Sequence, residues 1–365
     1  MDLIQSKINY RTMQSLRILS ICCCIFLFSS CKPGKKDDFN RTALLSNVYS
    51  SIITPKFQNF HTSADALKAS ADAFLLNPNA LLLDSLKKSF SLTYMAFQAV
   101  EIYTFTPSMD LWSALNSFPP DTAQINANIQ SGSYNLAAVN NIRAKGLPAI
   151  DYLLFSQNSA ATIAAFSVPN RKQYLDDLVT EISDKAAVAF NGWSNFETDF
   201  TTANGTDIGS SVGMLVNDLS FELERNRRER VGNALGYIGV VSGGVLLPSA
   251  VEGFYSESSK ELLIENLQQM KLLYTGGLGT GFDDYLNEIG ADYNGTPLSA
   301  EILNQLERTI LAAQNVPVKF SDAVSSHNAE MQALFLELKK LVVLIKVDMS
   351  SQLGVVINYS DNDGD

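Results

Sequence analysis

Histidine is almost missing from this chain of 365 residues: only His61 and His327 occur. A metal centre built on several imidazoles is therefore excluded, as is a mechanism that uses more than two. Cations are also in deficit, with 27 Lys and Arg against 38 Asp and Glu and a formal charge of −11. That balance argues against a nucleic-acid partner, since phosphate contacts require a surplus of Lys and Arg. Cysteine is confined to Cys22, Cys23, Cys24 and Cys31, so the remainder of the chain has neither disulfides nor a thiol nucleophile. The composition, 46% hydrophobic and 18% charged, is that of a globular protein and excludes collagen-like, coiled-coil or disordered character.

What is present at the N-terminus is a leader pattern. Lys7, Arg11 and Arg17 precede an apolar run from about Ile18 to Phe28, too short to span a bilayer. It ends in Leu27-Phe28-Ser29-Ser30-Cys31, which resembles a bacterial lipobox and implies cleavage before Cys31 and lipidation of its sulfur. An ordinary cleaved leader is the alternative. Removing residues 1–30, with three basic residues and one acid, leaves a mature charge of −13. Residues 31–40 then form a lipidated tether, marked by Lys32-Pro33-Gly34-Lys35-Lys36-Asp37-Asp38. The Lys-Asp-Asp step resembles a surface-export signal of bacterial lipoproteins; a solvated linker is equally consistent. The expected location is the outer membrane, reached through acyl chains on Cys31 rather than through a basic patch.

Beyond residue 41 the pattern is helical. Tyr174, Leu175, Leu178, Val179, Ile182, Ala186, Ala189 and Phe190 step by three and four. So do Leu263, Leu267, Met270 and Tyr274, and the series from Met331 through Leu334, Leu338, Leu341 and Ile345 to Met349. Ser258-x-x-Glu261 predicts a capping box, and Asn77-Pro78-Asn79 and Pro119-Pro120 predict helix breaks. Only residues 355–359 alternate like a strand. The expectation is an all-α protein with one short β-hairpin at most. Two helical bundles, 41–160 and 170–365, are divided by the diluted segment 156–171.

The isolated chemistry motifs are weak. Gly276-Gly277-Leu278-Gly279-Thr280-Gly281 follows a helix and lacks a terminal Lys-Ser/Thr, so it reads as a helix cap and loop, not a phosphate cradle. His327-x-x-Glu330 has the spacing of a di-iron ligand pair but no second His pair to complete a site. His61 with Asp65 meets the same objection. Arg225, Arg227, Arg228 and Arg230 suit anion recognition, yet interleaved Glu222, Glu224 and Glu229 favour pairing on a solvated helix face. The ending Asp361, Asp363, Asp365 lacks the distal acid of an EF-hand and reads as an acidic tail. Asn204-Gly205 and Asn294-Gly295 read as turns.

Longer stretches resemble the imelysin-like proteins. Ala99-Val100-Glu101-Ile102-Tyr103-Thr104-Phe105 and residues 117–129 are similar to the family's first half, 251–274 and 353–365 to its second, and Arg230-Val231-Gly232-Asn233-Ala234-Leu235-Gly236 to its Lys-x-Gly-x-Pro-Leu-Gly. Residues 143–155 resemble its signature segment, with Gly-x-His-x-x-Glu falling on Gly146, Leu147, Pro148, Ala149, Ile150 and Asp151. The resemblance implies two bundle-like domains around a central cleft, export or lipid anchoring, a link to iron or haem uptake, and kinship with M75-type metallopeptidases. It places Glu101, Gly146, Pro148, Asp151, Glu252 and Ser256 at the cleft. Pro148 has no imidazole to ligate a metal, whereas Asp151 keeps the charge of the family's Glu. Glu101 and Asp151 are then the candidate ligands of a metal ion (iron, calcium or zinc), oxygen donors suiting hard cations. The alternative is that these acids are caps or ion-pair partners, for instance of Arg143. The expectation is a non-enzymatic binding component, with an outer-membrane receptor or an iron-related ligand as partner. An M75-type metallopeptidase or a structural envelope protein remains as the other reading.

Overall fold

The computed structural model describes residues 38–109, 111–237 and 244–359. The leader, the lipidation site Cys31 and the acidic tail 360–365 lie outside the described residues. Arg41–Asn47 (α1) runs through a wide π-type turn, Val48–Ile53, into Thr54–Leu76 (α2). Ala80–Gln98 (α3) follows, after the break at Asn77-Pro78-Asn79, with the Asn79 side chain accepting from the Leu82 amide at 3.1 Å. Leu111–Leu115 (α4), Thr122–Ser131 (α5), Gly146–Phe155 (α6), Ser159–Ala165 (α7), Pro169–Ser194 (α8) and Glu197–Thr202 (α9) complete the first half. Ser211–Arg225 (α10) continues as a second π-type stretch, Asn226–Gly232, and Ser259–Thr275 (α11) and Phe282–Ile289 (α12) come next. The strands Asp292–Tyr293 (β1) and Thr296–Pro297 (β2) lead to Leu298–Gln314 (α13), Phe320–Ser326 (α14) and Asn328–Val343 (α15). A third π-type turn, Leu344–Met349, ends in Ser350–Leu353 (α16).

The all-α expectation holds, and the hairpin exists, but not where the alternation pointed. β1 and β2 pair antiparallel around Asn294-Gly295, both with positive φ (54° and 89°), the geometry that an Asn-Gly turn provides. Residues 355–359 pair with no strand among the described residues. Instead, the Asn217 side chain stands in for one, donating to the Val356 carbonyl at 3.0 Å and accepting from the Asn358 amide at 2.8 Å. The alternation is genuine, with Val355 buried and Val356 exposed; its hydrogen-bonding neighbour is a helix side chain.

From Phe39 onward the chain packs as one unit. Helix α8 lies along α2, which also packs on α3, so the long helix placed by sequence at the head of a second bundle lies with the first helices. Segment 156–171 packs back on α2: Phe166 is buried edge-on to Phe74 at 5.1 Å, with the Arg171 guanidinium over its ring. Trp193 on α8 is fully buried among Phe57, Tyr103, Phe105, Phe196 and Phe200, which supplies much of this half's apolar burial. In the second half α13 packs on α15 and α11, and the π-type stretch 226–232 against α15. Helices α3 and α11 join the halves, and the polar residues gather at this junction.

Candidate functional site

The segment from α4 to α6 builds one wall. Gly146 opens α6 with φ +70°, and a Cβ there would stand 2.3 Å from the Leu115 carbonyl oxygen, so only glycine lets the helix start this close to α4. Pro148 falls in the first turn, where a backbone N–H has no helical acceptor and proline costs nothing. One turn on, buried Asp151 accepts from two backbone amides, Tyr255 at Oδ2 and Ser256 at Oδ1, each 2.9 Å. Positive φ at Gly253 (57°) and Glu257 (62°) bends the 253–257 loop around this carboxylate. Burial raises the Asp151 pKa to about 6, against the lowering pull of Ser256 and Tyr255, with Glu252 adding repulsion. Tyr152, Phe254 and Tyr255 form a half-buried aromatic lip, with Tyr152 and Tyr255 edge-on at 5.2 Å. The Ser256 hydroxyl bonds that of Ser258 at 2.8 Å, so Ser258 does not cap α11 and the predicted capping box fails, although the helix starts where expected.

Behind Asp151 lies a closed ion network. Arg230 reaches Glu252 at 2.5 Å, Glu222 at 2.8 Å, the Asn226 side chain at 2.6 Å, and Glu101. Arg225 pairs with Glu222 and donates to the Glu101 carbonyl at 3.0 Å. Asn116 bridges Glu101 (3.0 Å) and Glu252 (2.7 Å), while Asn266 donates to Glu222 (2.8 Å) and Gln98 to Glu252 (3.0 Å). Glu101, Glu222, Glu252 and Arg230 are each at most 2% exposed. Burial pushes the Glu101 pKa up, opposed by Arg230 and reinforced by Glu252. Burial alone would lower Arg230, but Glu101 and Glu252 hold its pKa above the ordinary value. Arg225, with fewer acceptors, is lowered by burial to about 10; its Nε and Nη1 have no hydrogen-bond partner among the described residues, and the guanidinium stacks on Trp112 at 4.8 Å.

The arginine knot is therefore not a solvated face: Arg225 and Arg230 are interior with Glu222 and beside Glu229, and buried Arg227 pairs with Glu224 at 2.7 Å. Sequence reasoning missed Gln98, Asn116, Glu222, Asn226 and Asn266 altogether as site residues. The sequence of α10 gives no signal of this: Val212, Leu215, Val216, Leu219 and Leu223 share one face as on an ordinary amphipathic surface helix, and only the packing buries Asn217, Asp218, Glu222, Glu224 and Arg225 as well. The π-type stretch from Asn226 then turns Arg230 inward, a distortion that propensity does not announce.

The expected site residues are thus brought together but already engaged. Glu101 and Glu252 are tied to Arg230, and Asp151 to amides. Arg143 takes no part in them and donates to the Pro119 carbonyl at 2.7 Å. His327 begins α15 bonded to Ser326, and His61 sits 3.7 Å from Asp65 with its ring on Phe190. Among the described residues no group of three or more His, Cys, Asp or Glu is placed to hold a metal. A metal does not fit this donor set, because Pro148 has no side-chain donor atom and the acids are engaged by cations and amides.

Comparison with known proteins identifies the family and the fold. The family profile described as Imelysin, Peptidase M75, matches residues 53–346. No curated protein matches the chain. An imelysin-like protein from Psychrobacter arcticum 273-4 superposes with a TM-score of 0.68 at 16% identity, covering 87% of this chain and 97% of that one. A putative iron-regulated protein A precursor from Parabacteroides distasonis ATCC 8503 gives 0.66 at 15% identity, covering 89% and 97%.

Proposed function

The chain belongs to the imelysin family, and on that premise we propose that it works by binding rather than by peptide hydrolysis. One observation carries this reading: the acids of the signature neighbourhood are consumed internally, by Arg230 and by the amides of Tyr255 and Ser256, and the position of the signature imidazole is Pro148. Hydrolysis through a metal needs about three protein ligands and an open position for water. The half-buried lip of Tyr152, Phe254, Tyr255 and the Ser256 hydroxyl is what remains for a ligand to touch. The fold neighbour described as iron-regulated supports an iron- or haem-related ligand, and the leader and Cys31 support an exported lipoprotein of the outer membrane that hands it to a receptor.

Thermal melting of the purified protein with haem, ferric chelates and bare metal ions tests this. Stabilisation by haem or a ferric chelate that weakens in Tyr255→Ala is expected, with no peptide cleavage. Metal-dependent cleavage that disappears in Asp151→Ala would overturn it in favour of the peptidase.

A further inference from the structure

In the second half, α13 and α15 pack together and border a surface groove of about 490 Å³. A space of that size suits a small ligand. Its floor is closed by Gln305, whose amide donates to the Glu337 carboxylate at 2.7 Å and to the Glu337 carbonyl at 3.0 Å. Its walls carry two aliphatics left in water, Leu336 at 54% and Val343 at 44% exposure, seven residues apart on α15. Seven residues are two turns, so both lie on one face about 10 Å apart. Isolated exposed aliphatics are ordinary, but two lining one groove are a candidate contact.

The charge here runs against the rest of the molecule. Arg308 is met by Glu301 at 2.6 Å and Lys340 by Glu337 at 2.6 Å. Lys339, exposed and also lining the groove, has no ion pair among the described residues. Three cations against two acids leave one positive charge unmatched, in a chain whose formal charge is −11. Lys339 sits one turn from Leu336 and one turn from Val343, so an anionic group on its ammonium has an apolar contact within reach in either direction.

We propose that this groove binds a single-chain anionic amphiphile, with the acidic head on Lys339 and the alkyl tail along Leu336 and Val343. Burying the tail supplies the non-directional part of the affinity, and Lys339 supplies the sign selection. The three residues are exposed, so replacing them leaves the core intact.

The test is calorimetric titration of the full chain with dodecanoate below its micelle concentration, beside dodecanol and dodecyltrimethylammonium. Dodecanoate is expected to bind saturably, at least tenfold tighter than the cationic analogue. Lys339→Ala should lose most of that preference, and Val343→Ser should weaken dodecanoate and dodecanol alike. Equal binding of the anionic and cationic chains, no saturable binding, or an unaffected Lys339→Ala overturns the proposal. So does sedimentation with phosphatidylglycerol vesicles without binding of monomeric dodecanoate, which would make the face a membrane contact. A dimer that dissociates on Val343→Asp while dodecanoate fails to bind would assign the groove to a second copy instead.

Discussion

Asp151 and Glu252 are near enough to repel one another, yet the protein settles their charges by different means. Glu252 is answered by a guanidinium and two side-chain amides, Asp151 by two backbone N–H groups. The first arrangement sets a full opposite charge against the carboxylate. The second offers only dipoles, and burial prevails, raising Asp151 to about 6. The network is a buried ion cluster, whereas the raised Asp151 carboxyl lies beside the half-buried lip of Tyr152, Phe254 and Tyr255.

Breaking the network has the largest expected effect. Arg230→Met leaves Glu101, Glu222 and Glu252 facing one another without their shared cation. A loss of about 3–5 kcal/mol in chemical denaturation, or failure to fold, is expected.

A pH series sharpens the contrast. Asp151 and Asp218 are raised by burial to about 6 and about 7; Asp218 accepts from the Thr104 amide at 2.9 Å. A carboxyl raised in the folded state keeps its proton longer than in the unfolded chain. Its contribution is therefore present at low pH and is lost as pH climbs from about 4 to the folded value. Each group should lower stability by at most ~1.4 kcal/mol per pH unit in that window. Asp151→Asn should remove the portion ending near pH 6, and Asp218→Asn the portion ending near pH 7, as read from denaturation midpoints.

Gly146→Ala tests the wall that carries Asp151. The left-handed backbone alone costs about 1–3 kcal/mol, and the Leu115 carbonyl lies in the way of the added carbon. The smallest change is expected from Ser256→Ala. It removes a half-exposed hydroxyl but keeps the Ser256 amide on Asp151, so stability should move by less than about 1 kcal/mol. A larger loss would show that the hydroxyl, rather than the amide, holds the Asp151 seat.

Much of this was legible in one dimension. The three-and-four spacing of Tyr174 through Phe190 and of Met331 through Met349 marks buried faces of α8 and α15, because a helical period repeats whatever the partner. Gly276 ends α11 in the left-handed conformation, as its glycine cluster suggests. The arginine knot was visible as letters but not as an interior, since alternating Arg and Glu look alike on a wet face and in a dry cluster. Which it is depends on what α3, α4 and α11 lay over it. Likewise, 355–359 alternates correctly, yet nothing local says that Asn217, some 140 positions earlier, completes its hydrogen bonds.

The sequence by itself determined the helical class, the helix breaks and the place of the family signature, because periodicity, proline and glycine act within a few residues of where they are written. Only the tertiary structure decided that Glu101, Glu222 and Glu252 meet one arginine, that Asp151 meets two amides, and that Lys339 meets no acid among the described residues. Charges acquire their roles from neighbours distant in the chain and from the water that packing removes.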